Sequence, residues 1–193
     1  MRLEDKVILI TGGSKGLGRE TALRFAKEGA RVVVTGRGRA ALDAVVADAA
    51  TEGLELTSVQ ADVSVEEDCR RTVAGVLDTY GHLDVLFNNA GVLFAGTTWE
   101  TTPEVWDTTM AVNVRGTWLM SREAIPHMLE RGRGAIINNC SVLGLKACAG
   151  AVAYNTSKGA IAQMTRSTAL ELAGTGVRVN AICPGTIVTS MVG

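Results

Sequence analysis

Short, almost unbroken apolar runs alternate along this chain with longer stretches whose apolar positions recur at helical spacing. Lys6–Thr11 is β-branched and aliphatic almost throughout, the mark of a strand covered on both faces. It enters the loop Gly12-Gly13-Ser14-Lys15-Gly16-Leu17-Gly18, and an amphipathic helix follows to about Glu28. Leu17, Thr21, Ala22, Phe25 and Ala26 form that helix's inner stripe, and Gly29 is its stop. The same reading gives strands at Arg31–Thr35, Leu54–Gln60, Val85–Asn88, Ala135–Asn139 and Val177–Ile182. Helices are expected over Ala40 to Glu52, Val65–Tyr80, Pro103 to about Glu130, and Ala153–Leu172. Ser64 with Glu67 reads as a capping box, Pro103 suits a first helical position, and Pro126 should bend its helix.

Strict alternation of buried strands and helices, with short loops and no repeats or linkers, predicts one α/β domain over residues 1–193. Its form would be a doubly wound, Rossmann-like parallel sheet with right-handed crossovers. Such sheets bind ligands at the carboxyl ends of their strands. There the chain places its glycine-rich loop, Gly36-Arg37, Asp62, Asn89-Ala90-Gly91, Ser141 and Pro184-Gly185, one group after each strand in turn.

Composition narrows the classes. Apolar residues make up 47% and charged residues 20%, with formal net charge -1, so nothing favours nucleic acid or an anionic membrane as partner. The N-terminus lacks a signal-peptide pattern and no run is long enough for a membrane span, so a soluble cytoplasmic protein is expected. Cys69, Cys140, Cys148 and Cys183 show no metal-ligand spacing and read as buried free thiols; His82 and His127 read as structural or surface residues. No metal site is expected.

Two stretches carry chemistry. Glycines between a buried strand and a helix N-terminus allow close backbone approach, and the free N–H groups attract a pyrophosphate. Tyr154 and Lys158, four apart, share one helix face. A cation ~4 Å from a phenol, at an effective dielectric of ~20, is worth up to ~4 kcal/mol. That would draw a tyrosine from its ordinary pKa near ~10 toward the range of general acid–base work.

Together these residues resemble the short-chain dehydrogenase/reductase family over nearly the whole chain. The resemblance rests on Thr11-Gly12-x-x-x-Gly16-x-Gly18, Asp62-Val63, Asn88-Asn89-Ala90-Gly91, Asn113 in Asn-Val-Arg-Gly, Ser141, Tyr154-x-x-x-Lys158, and Pro184-Gly185-x-Ile187-x-Thr189. It implies a strand order of 3-2-1-4-5-6 and a catalytic set of Asn113, Ser141, Tyr154 and Lys158. Tyr154 would be the general acid in reduction and the base in oxidation. Lys158 would lower its pKa and bond the nicotinamide ribose, Ser141 would orient the substrate oxygen, and Asn113 would hold a proton-relay water. The loop Gly12, Ser14, Lys15, Gly16, Leu17 and Gly18 would hold the dinucleotide. Asp62 and Val63 would meet its adenine, Asn89, Ala90 and Gly91 its ribose side, and Pro184, Gly185, Ile187 and Thr189 its nicotinamide.

Cofactor choice follows from the end of the second strand, Thr35-Gly36-Arg37, which lacks the carboxylate that an NAD site offers to the ribose 2′-hydroxyl. Arg37 and Lys15 instead supply cations for a 2′-phosphate, so NADP(H) is favoured over NAD(H). An NAD-dependent alcohol, sugar-alcohol or hydroxysteroid dehydrogenase stays open, as does a non-catalytic dinucleotide-binding regulator. The substrate would be a small carbonyl compound or alcohol. The helices at 103–130 and 153–172 would build a homodimer or homotetramer, although their apolar residues (Trp106, Met110, Val114, Trp118, Ile161, Met164, Leu170) suit packing on the sheet equally. Family members are longer, with a seventh strand and a substrate-covering segment past the position of Gly193, so a longer biological protein is expected.

Overall fold

The computed structural model describes residues 1–188. Six parallel strands, β1 (Val7–Thr11), β2 (Arg31–Gly36), β3 (Leu56–Gln60), β4 (Val85–Asn88), β5 (Gly134–Asn139) and β6 (Val177–Ile182), form one sheet in the order β3-β2-β1-β4-β5-β6. The order expected from the resemblance is therefore found. The reversal between β1 and β4 opens a crevice at the strand ends.

Strand β1 shows why the sheet needs cover on both sides. Val7 and Leu9 enter one apolar cluster and Ile8 and Ile10 another, and all four are fully buried. Helices α1 (Gly16–Lys27) and α2 (Arg39–Thr51) close the second cluster with Ala22, Leu23, Leu42 and Val45. Helices α3 (Glu66–Tyr80) and α5 (Gly116–Glu130) close the first with Val73, Val76, Leu119 and Met128. In α1 the buried stripe is Gly18, Ala22, Leu23 and Ala26, while Leu17, Thr21 and Phe25 are only half-buried.

One expectation is modified locally and one fails. The helix expected over 103–130 is continuous, but it is built as α4 (Pro103–Thr109), a π-helical stretch Met110–Arg115, and α5, which runs on through Pro126. Pro103 does open α4, and the Thr102 side chain caps it by accepting from the Val105 amide. Ser64 and Glu67 form no capping box. The N-cap is Val65, and both the amide and the hydroxyl of Ser64 donate to Asp62 Oδ1. The Asp62 carboxylate is nearer and charged, so it takes the serine away from the helix end.

Helix α6 (Val152–Glu171) lies on the α5 side of the sheet. Its Ile161 is buried in the core, whereas Trp106, Trp118 and Leu170 face outward. Among the described residues no helix is long and apolar enough to cross a membrane.

Candidate active site

A cavity of about 530 Å³ runs along the strand ends. The glycine-rich loop forms one wall, with Gly12, Ser14, Lys15, Gly16, Leu17 and Gly18 all lining it. Gly12 has φ 64, and a Cβ on Gly18 would stand 2.3 Å from the Gly12 carbonyl oxygen. Side chains are excluded at both places, so the backbone itself faces the cavity. That is a cradle of the kind a pyrophosphate needs at a helix N-terminus, and the residues fit a dinucleotide.

The other groups expected from sequence gather on the same cavity. Gly36, Arg37, Asp62 and Val63 line one end, Asn89, Ala90 and Gly91 the middle, and Pro184 and Ile187 the far end. Gly185 does not line it, and Thr189 lies outside the described residues. Arg37 is 67% exposed and reaches no nearer to an acid than 4.0 Å, at Asp62 Oδ2. Asn89 ties the cradle to β4: its amide group donates to the carbonyls of Thr11 and Gly12 at 3.0 and 3.1 Å.

Ser141, Tyr154 and Lys158 converge beside this cavity, at the end of β5 and the first turns of α6. Lys158 is 3% exposed, and its Nζ donates to the Asn139 carbonyl at 2.6 Å while lying 5.5 Å from the centre of the Tyr154 ring. Burial pulls the ammonium down to about 8, with Cys140 and Cys183 opposing. Burial likewise pushes the Tyr154 phenol above its ordinary 10, the Ser141 hydroxyl opposing and Cys140 adding to the rise. Desolvation thus outweighs the lowering expected from Lys158, and the net direction for the tyrosine is up. The cation lies over the ring face and gives one of its three N–H groups to the Asn139 carbonyl, and desolvation decides the direction for both groups.

Asn113 is fully buried in the π-helical stretch. Its Oδ1 accepts from the Val92 amide at 2.8 Å, and its Nδ2 donates to the Val92 carbonyl and to Ser157 Oγ, each at 3.0 Å. The side chain clamps the loop after β4 against α6; both of its N–H donors are used, while Oδ1 keeps one lone pair. Extra residues in a π turn commonly serve this kind of presentation.

Sequence reasoning missed Asn139, whose backbone carbonyl holds Lys158 and whose amide group donates to Asn89 Oδ1 at 3.0 Å. It also missed Ser157, Val92 and the Thr11 hydroxyl, which accepts from the amides of Asn89 and Ala90 at 3.0 Å each. Thr11 alone carried a signal, as the residue that opens the glycine motif.

Comparison with known proteins agrees with this geometry. The family model described as short chain dehydrogenase matches residues 6–193. The chain is 42% identical to 2-(R)-hydroxypropyl-CoM dehydrogenase of Xanthobacter autotrophicus, covering 97% of this chain and 76% of the relative. An actinorhodin polyketide ketoreductase solved with NADPH superposes with a TM-score of 0.95 at 37% identity, covering 97% and 73% of the two chains. A short chain dehydrogenase/reductase from Burkholderia phymatum, solved in complex with NAD, gives 0.95 at 31% identity over 99% and 69%. On fold, strand-end site and sequence alike, the chain belongs to the short chain dehydrogenase family of oxidoreductases.

Proposed function

We propose that the chain is an NADP(H)-dependent oxidoreductase that interconverts a small-molecule carbonyl and a secondary alcohol. The observation that carries this is the convergence of Tyr154, Lys158 and Ser141 at the end of β5, against a cavity whose backbone cradle suits a dinucleotide. The nicotinamide, when bound, supplies or accepts the hydride. Tyr154, protonated at neutral pH, donates its proton to the carbonyl oxygen in reduction and takes one back in oxidation. Ser141 Oγ donates to the same oxygen and holds it in place. Lys158, still largely charged at neutral pH, favours the phenolate that remains and hydrogen-bonds the ribose. Asn113 positions these groups through Val92 and Ser157.

Preference for NADP(H) is supported by Arg37 and Lys15 at the cavity's edge and by the lack of a carboxylate on Thr35-Gly36. Outward-facing Trp106, Trp118 and Leu170 support a second copy docking on α4, α5 and α6, as homodimer or homotetramer. Four free thiols support a reducing, cytoplasmic setting.

Incubating the protein with NADPH and a panel of ketones, while following the loss of nicotinamide absorbance, tests the reading. Turnover of at least one ketone, abolished in Tyr154→Phe with cofactor binding intact, is the expected result. Cofactor binding without turnover of any substrate would favour a binding protein instead.

A further inference from the structure

Two thiols face each other beneath the candidate catalytic residues. The β5–β6 pairing continues past the strand ends: the Cys140 amide donates to the Ile182 carbonyl at 2.9 Å, and the Val142 amide to the Pro184 carbonyl at 3.0 Å. With Asn139 paired to Ile182, those two bonds set Cys140 directly opposite Cys183. Both side chains lie on the α6 face, where Cys183 packs against the small cluster of Cys140, Ile161 and Ala162. Neighbouring strands are about 4.8 Å apart, within the roughly 4.4–6.8 Å between Cα atoms that a disulfide spans. Both cysteines are free thiols; Cys140 is buried and Cys183 partly exposed.

Their neighbours are the machinery. Cys140 sits between Asn139, whose carbonyl holds the Lys158 ammonium, and Ser141. Its Sγ also donates to the Lys158 backbone carbonyl at 3.2 Å. Cys183 precedes Pro184, which lines the cavity. The proposed hydride reaction uses neither thiol.

We propose that Cys140 and Cys183 are a redox-responsive dithiol, a modification site that hydrogen peroxide closes into a cross-strand disulfide and a dithiol reductant reopens. The partly exposed Cys183 meets the oxidant first. Its sulfur takes the peroxide's terminal oxygen, giving a sulfenic acid and water. The Cys140 sulfur then attacks that sulfur; the S–S bond forms, the S–O bond breaks, and a second water leaves carrying the Cys140 proton. Overall two thiols lose two electrons and two protons to one peroxide. Burial holds Cys140 as the thiol, consistent with its acting second. Closure removes the S–H that braces the Lys158 backbone and ties the floor of the nicotinamide end to β5.

Loss of turnover rests on the oxidoreductase reading, whereas the cross-link does not, so one experiment reads both. The protein is treated with hydrogen peroxide, its remaining thiols are alkylated under denaturing conditions, and peptides are mapped by mass while turnover is followed with NADPH. The thiol titre is expected to fall from four to two, with a peptide joining Cys140 to Cys183. Turnover should drop about tenfold or more, the scale of a misplaced catalytic group, and return with dithiothreitol. Cys183→Ser should keep its basal turnover and lose the reversible inactivation. Both cysteines remaining alkylatable after peroxide would overturn the proposal, as would a linked pair with unchanged turnover. If untreated protein turns over no substrate, the oxidoreductase reading fails and the cross-link alone decides for or against the dithiol.

Discussion

The ammonium of Lys158 is bound at 2.6 Å to the backbone carbonyl of Asn139, the last residue of β5. Together with the bond from Asn138 Nδ2 to Thr165 Oγ1, this bond fastens the helix carrying Tyr154 to the strand that leads into Ser141. It also fixes a charge in a nearly water-free place, and burial pulls the lysine down to about 8 as a result.

A pH dependence follows. Below about 8 Lys158 is charged and can stabilise the phenolate left when Tyr154 gives up its proton; above that value the charge is lost. The kcat/KM for ketone reduction should therefore be level at neutral pH and decline as pH rises through about 8. Lys158→Met should lower turnover by roughly 10²–10⁴ and remove the inflection. A variant that kept the wild-type profile would show that another group titrates.

Gly18 tests the backbone cradle. A Cβ there would meet the Gly12 carbonyl at 2.3 Å and Asn89 Nδ2 at 2.5 Å, so α1 or the loop must move. Gly18→Ala should weaken NADPH binding by about tenfold or more, or ~1.4 kcal/mol. Isothermal titration reads this directly, and an unchanged Kd would place the pyrophosphate elsewhere.

Arg37 tests cofactor choice. Its guanidinium is mostly exposed, with only a 4.0 Å approach to Asp62, so removing it costs the fold little. Arg37→Ala should shift the ratio of kcat/KM for NADPH over NADH toward NADH by about tenfold, since charge-assisted bonds to a phosphate are the strong ones. An unmoved ratio would leave Arg37 as a solvated side chain.

The sequence made the strands, the helices and the row of strand-end groups readable because each is written in local periodicity. Continuous Val/Ile/Leu runs mark strands buried on both faces, and glycines and prolines punctuate them. What escaped depends on distant partners. Nothing local distinguishes Met110–Arg115 from α-helix; the π stretch accompanies bonds from Asn113 to Val92, 21 residues earlier. Ser64 and Glu67 spell a cap, but the Asp62 carboxylate outcompetes it. The Asn139 carbonyl is a backbone atom with no side-chain signature. The spacing of Tyr154 and Lys158 correctly put them on one helix face, yet spacing does not report burial, which set the direction of both titrations.

At the opposite end of the sheet, Asp84 ties three elements together. Its Oδ2 accepts from the Val7 amide at 3.0 Å and stands 3.1 Å from His82 Nε2, while its Oδ1 lies 3.3 Å from Arg131 just after α5. Burial alone would raise this carboxyl; the Val7 amide, His82 and Arg131 outweigh it and hold the group below its ordinary 3.8. Because the folded value is the lower one, its contribution is complete above the ordinary value and is lost as pH falls through the folded value. Asp84→Asn keeps the shape but removes the charge facing Arg131, and should cost about 1–3 kcal/mol at neutral pH. Urea midpoints measured from neutrality into acid should begin to fall near about pH 4 in the wild type, and the variant's midpoint should approach the wild type's below the folded value, where the Asp84 carboxyl of the wild type is protonated in folded and unfolded states alike. Parallel curves with a constant offset would show that the destabilisation comes from packing and not from the charge.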